Sequence, residues 1–114
     1  MGAAAEDAAA LFLKSAGYRI LARNFSTKSG EIDIIAADGD AICFVEVKAR
    51  TKKNFAPPYA AVNRRKQDRI RSTASAFLAA KRLTNKLCRF DVVSLVPAPE
   101  QKSGWQIELL RNAF

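Results

Sequence analysis

With 114 residues, 49% of them apolar and 26% charged, the chain has the size and composition of one globular domain spanning residues 1–114. It holds no histidine, which excludes Ser-His-Asp and Cys-His catalysis, His-Zn proteases and histidine-based nucleases. Its 19 basic and 11 acidic residues leave a net charge of +8, and any chemistry must run on carboxylates, lysine and a metal.

Cys43 and Cys88 form no C-x-x-C pair, so reduced thiols in a cytosolic protein are expected in place of a zinc site or a disulfide framework. No apolar run approaches the ~20 residues of a membrane span. Glu6 and Asp7 put acid where a signal peptide carries base. The expectation is a soluble, cytoplasmic protein with no membrane partner.

In chain order, the helix formers from Ala3 to Ala16 predict a first helix, with Ala4, Ala8, Leu11, Phe12 and Ser15 on one stripe and Gly17 as its stop. Glu6 shares a second stripe with Ala10 and Leu13. Residues 18–25 alternate as a strand, and a polar turn over 26–30 leads to a second strand over 31–36. The turn signal Asp38-Gly39-Asp40 joins this to a third strand over 41–50, predicting an antiparallel hairpin. Residues 51–58, with Phe55, Pro57 and Pro58, read as a basic loop. Asn63 is the expected N-cap of a second helix running to about Leu83, with Ile70, Ala74, Phe77 and Leu78 inward and Arg64, Arg65, Arg71 and Arg82 outward. Closing strands are predicted over 88–97 and 105–111. The fold class is α/β, a mixed central sheet flanked by helices in the order α-β-β-β-α-β-β.

Charge is not evenly spread. Residues 50–89 hold 12 basic side chains and one acidic, a local charge of +11, while both flanks are slightly acidic. Such a block is the footprint of a protein that binds a phosphate backbone, or a solvated helix face.

Alternation places Ile32, Ile34 and Ala36 on one face of the second strand, with Glu31, Asp33 and Ile35 on the other. On the third strand Cys43, Val45 and Val47 oppose Phe44, Glu46 and Lys48. If both apolar faces meet one core, Glu31, Asp33, Glu46 and Lys48 gather on the reverse face. Either Asp33 or Glu31 then stands across from Glu46, an arrangement of like charges that calls for a cation. Clustered carboxylate oxygens suit Mg²⁺, held by Asp33, Glu46 and a strand carbonyl such as that of Val47. The alternative is that Lys48 simply neutralises Glu46 on an exposed edge.

The run from Gly30 to Ala36, followed by Phe44-Val45-Glu46-Val47-Lys48-Ala49-Arg50, resembles the signature of the bacterial YraN family. The likeness extends to Gly17-Tyr18-Arg19-Ile20-Leu21, Arg23-Asn24-Phe25, Phe90-Asp91-Val92-Val93 and Asn112-Ala113-Phe114. That family belongs to the restriction-endonuclease-like, or PD-(D/E)XK, nuclease superfamily and is similar to Holliday-junction-resolvase-like proteins. The resemblance implies that Asp33 and Glu46 ligate a metal, Mg²⁺ or Mn²⁺, and that Lys48 is the motif's lysine. It matches Glu6 to a glutamate of the leading helix, and Lys66 and Gln67 to a polar position near the metal. Ala5-Glu6 stands where the family carries Gly-Glu, and Ile32 where the superfamily has its nominal proline.

The expected function is therefore metal-dependent hydrolysis of phosphodiester bonds in nucleic acid, DNA before RNA, in branched or structured substrates and with a homodimer as the expected form. Arg50, Lys52, Lys53, Arg64, Arg65, Lys66, Arg69 and Arg71 would hold the backbone, and Phe55 and Tyr59 would stack on unpaired bases. The alternative is a catalytically silent nucleic-acid-binding module of the same fold.

Overall fold

The structure, a computed structural model, describes residues 3–50 and 62–114. Helix α1 (Ala3–Ser15) leads into strands β1 (Arg19–Thr27), β2 (Gly30–Asp38) and β3 (Ala41–Ala49). Helix α2 (Arg64–Ala80), β4 (Leu87–Pro97) and β5 (Trp105–Leu110) complete the order α-β-β-β-α-β-β. The strands form one mixed sheet in the order β1-β2-β3-β4-β5, parallel only between β3 and β4. A parallel neighbour needs a crossover, which is the segment that carries α2. No helix among the described residues is long and apolar enough to cross a membrane.

Both faces of the sheet are covered. On one, Ile34, Ala36, Val45 and Val47 pack with Ala9, Ala10 and Leu13 of α1; on the other, Ile35, Phe44 and Val92 pack with Ile70, Ala74 and Phe77 of α2. Helix α2 lies on the reverse face of β2 and β3, in keeping with a sheet flanked by helices. One expectation is corrected. Ile32 does not share a face with Ile34 and Ala36, since it packs with Ile35 in the α2 core, so alternation breaks at Asp33.

The buried stripe of α1 also differs from the expected one. Ala5, Ala9, Ala10 and Leu13 are buried, while Leu11 is 70% exposed. Alanine side chains let the helix backbone lie close on the sheet, and the larger Leu11 and Phe12 are displaced outward or to the rim. Gly17 ends α1 as expected, at φ 96°, with the Tyr18 N–H donating to the Leu13 carbonyl at 2.9 Å and the Gly17 N–H to that of Lys14. Helix α2 stops at Ala80, short of Leu83, because Arg82 takes the same left-handed role at φ 57° while Leu83 N–H donates to Leu78. An arginine there gives no glycine signal in the sequence.

On the α1 face, fully buried Asp91 accepts from Tyr18 Oη at 3.0 Å, Arg89 Nε at 3.0 Å and the Asn112 N–H at 2.9 Å, tying the last residues to β4. On the other face Arg71 stacks over Phe90 and Phe114.

The stripe assignment predicts that Leu13→Ala lowers unfolding free energy by about 2–5 kcal/mol, whereas Leu11→Ala stays within about 0.5 kcal/mol of the parent. Urea denaturation of both variants checks this, and the reverse ranking would contradict it.

Candidate active site

Strands β2 and β3 pair from Asp38↔Ala41 up to Ile34↔Val45 and then part. β2 keeps its other partner, β1, as far as Thr27↔Gly30. The bend lies where Asn24 of β1, at φ 53°, stands between the pairs Arg23↔Ile34 and Phe25↔Ile32. Asn tolerates that conformation.

Asp33 and Glu46 are the next residues past the last β2–β3 pair, so they face each other at the mouth of this fork. Asp33 Oδ2 accepts from the Val47 N–H at 2.8 Å, replacing the ladder bond that β2 no longer supplies. A strand residue's N–H and C=O leave by the same edge, so the Val47 carbonyl also faces the gap. Asp33 and Glu46 are buried, at 9% and 5% exposure.

Two lysines meet one carboxylate oxygen. Lys48 Nζ lies 3.8 Å from Glu46 Oε2, and Lys66 Nζ of α2 contacts the same oxygen. Burial, then the contact and charge of Glu46, push the Asp33 carboxyl up to about 7, against the opposing pull of the Val47 N–H. Burial and the neighbouring Lys66 ammonium lower the Lys48 pKa. For Lys66, burial opposes the charged form, but the contacts with Glu46 and Lys48 and the charges of Glu46 and Asp33 together outweigh it and the pKa rises.

A cavity of about 450 Å³ opens at the fork, floored by Asp33, Glu46 and Lys48. Asn63, Arg65, Lys66 and Arg69 of α2 form its opposite wall, and exposed Glu31 stands at its rim. Asn63 is the cap of α2, its side chain accepting from the Lys66 N–H at 2.9 Å, and this fixes the first turn from which Lys66 reaches Glu46. The sequence reading found the cap but not its place in the cavity.

The remaining candidates divide. Glu6 is largely buried on the stripe with Ala10 and Leu13, receives Arg23 at 3.4 Å, and lends its charge to raising Asp33. Arg23 also reaches Asp7 at 2.8 Å. Glu31 pairs with Ser26 of β1 and is not the residue opposite Glu46. Gln67 is turned to the backbone, donating to the Val62 carbonyl at 3.0 Å, so it anchors the start of α2 outside the cavity lining.

Arg64, Arg65, Lys66 and Arg69 share the N-terminal half of α2. Arg71 does not join them, since its guanidinium sits 4.6 Å over the Phe90 ring. Arg50 donates to Ser94 Oγ at 3.1 Å and turns to the β4 side. Lys52, Lys53, Phe55 and Tyr59 lie outside the described residues.

The donor set for a cation is thus two carboxylates and a carbonyl, all oxygen. Among the described residues no group of three or more His, Cys, Asp and Glu side chains is placed to hold a metal.

A family model described as "Uncharacterised protein family UPF0102" matches residues 5–95. The chain is 46% identical over 114 residues to a UPF0102 protein of Symbiobacterium thermophilum, covering 100% of this chain and 95% of that one. It is 47% identical over 113 residues to a UPF0102 protein of Syntrophus aciditrophicus, covering 99% and 87%. A third relative, from Clostridium acetobutylicum, is 43% identical over 109 residues, covering 96% and 88%.

The raised Asp33 pKa has a consequence for stability. The folded chain holds this proton up to about pH 7, whereas the unfolded chain releases it near 3.8, so the metal-free fold loses stability as pH rises between those values. Asp33→Asn keeps an oxygen for the Val47 N–H and removes the titration. Urea midpoints measured across that window should converge on, and then fall below, those of the variant; parallel profiles would contradict the assignment.

Proposed function

The chain belongs to the uncharacterised protein family UPF0102, and from the chemistry of the fork we propose that it is a metal-dependent endonuclease acting on branched or structured DNA, akin to the PD-(D/E)XK nucleases. The observation that carries this reading is the buried pair Asp33 and Glu46, set against Val47 where the ladder opens, with Lys48 and Lys66 beside it.

Two buried carboxylates side by side repel, and burial together with the neighbouring Glu46 holds the Asp33 proton to near neutrality. An all-oxygen set of this kind fits a hard divalent cation, which commonly takes only one or two carboxylates from the protein. Asp33, Glu46 and the Val47 carbonyl would hold Mg²⁺ or Mn²⁺. When bound, such an ion supplies Lewis acidity and offsets phosphate charge.

The side chains supply the rest. Lys48, inside the cavity, is a donor to the attacking water or to the oxygen on which negative charge develops. Lys66, on the wall of the same cavity and in contact with Glu46, would present a second positive charge to the phosphate. Arg65 and Arg69 on the opposite wall hold the backbone without reading bases.

The contact of Lys66 with Glu46 favours a second reading, a nucleic-acid-binding module without hydrolysis, in which this ammonium permanently replaces the cation. Metal dependence separates the two. Linear, flapped and four-way DNA incubated with Mg²⁺ or Mn²⁺ should be cut by the parent chain, with Asp33→Asn and Lys48→Ala each slower by about 10²-fold or more. Equal background from all three proteins would overturn the endonuclease reading.

A further inference from the structure

Beside the fork the β1–β2 turn and α2 flank a second, open surface cavity of about 540 Å³. Arg64, Arg65, Asp68, Arg69 and Ser72 line it from the helix and Ser29 from the turn. Arg65 and Arg69 line both cavities, one helical turn apart on the same face, so the two spaces share a cationic wall.

The second cavity is built as an acceptor site for an anion. Ser72 Oγ donates to Ser29 Oγ at 3.1 Å. A hydroxyl has one proton to give, so Ser72 uses its own on Ser29 and leaves the Ser29 O–H as a donor. Asp68 lies 3.6 Å from Arg64 Nε and offsets that guanidinium, whereas among the described residues no carboxylate pairs with Arg65 or Arg69. The turn and the helix touch beside the cavity, with Thr27 Oγ1 3.4 Å from Thr73 Oγ1 and Gly30 facing Arg69.

We infer that this cavity binds a phosphodiester group flanking the one held at the fork, on the same nucleic-acid strand. The inference rests on the nuclease reading and deepens it. Guanidinium and hydroxyl donors fix a phosphate without reading a base. The preferred substrate is therefore a strand that continues past the reacting linkage over the β1–β2 turn. An isolated phosphodiester fills only one of the two subsites.

The test is a titration of the isotopically labelled full chain, with Ca²⁺ supplied as the divalent cation, followed by amide NMR. The probes are a dinucleotide with one phosphodiester, a trinucleotide with two, and inorganic phosphate. The trinucleotide should bind about 5-fold or more tightly than the dinucleotide and shift the Ser29 and Ser72 amides. Arg69→Ala and the double variant Ser29→Ala/Ser72→Ala, each checked for a native spectrum, should bring the two affinities together. Equal affinities in the parent chain, with both probes at the fork, would refute the second subsite and leave the nuclease reading standing. Inorganic phosphate shifting Ser29 and Ser72 as strongly as the trinucleotide would also overturn it. Failure of both nucleotides to bind would defeat the subsite and the nucleic-acid reading together.

Discussion

The hydrogen bond from the Val47 N–H to Asp33 Oδ2, at 2.8 Å, organises the site. It forms where β2 leaves β3, and it satisfies a buried backbone donor that would otherwise cost about 1–3 kcal/mol unpaired. A side chain thus stands in for a missing strand. The price is a carboxyl group drawn below the protein surface beside Glu46, and the site's charge balance follows from that placement. Asp33 holds its proton to near neutrality, and Lys48 and Lys66 converge on Glu46.

The fork is held open by elements that are themselves firmly packed. The close-lying alanine face of α1 covers one side of the sheet, and α2 covers the other. Because the Asn63 cap fixes the first turn of α2, the same helix that buries Ile70, Ala74 and Phe77 also presents Arg65, Lys66 and Arg69 over the acidic pair. A polyanion can approach that wall. Behind it Lys48 and Lys66 already meet Glu46, so the proposed metal dependence rests on the oxygen donors of Asp33, Glu46 and Val47 and not on unbalanced charge.

Much of this was legible in the residues. The turn at Gly39 and the apolar runs on either side predict the β2–β3 hairpin and leave either Asp33 or Glu31 opposite Glu46, and the observed register selects Asp33. Asn63 announced the helix that follows it. What periodicity could not supply were the departures from regularity. Strict alternation put Ile32 with Ile34, but the bend at Asp33 and Asn24 turned it to the other core. The stripe of Ala4, Ala8, Leu11, Phe12 and Ser15 is not the one α1 buries, because close packing on a sheet favours the alanines of the neighbouring face. Arg71 belonged to the basic block by sequence, yet two phenylalanine rings distant in the chain remove it from the cationic wall. Contacts of this kind, including Asp91 with Tyr18 and Asn112, depend on where distant segments meet and leave no local signature.

The central claim is that Asp33 and Glu46 form a cation site whose occupancy expels the Asp33 proton. Calorimetric titration of the metal-free chain with Mn²⁺ near pH 6, repeated in buffers of different ionisation enthalpy, measures affinity and proton release together. Saturable binding accompanied by proton release, with both lost in Asp33→Asn, is the predicted result; no binding, or binding that Asp33→Asn leaves unchanged, would contradict the account.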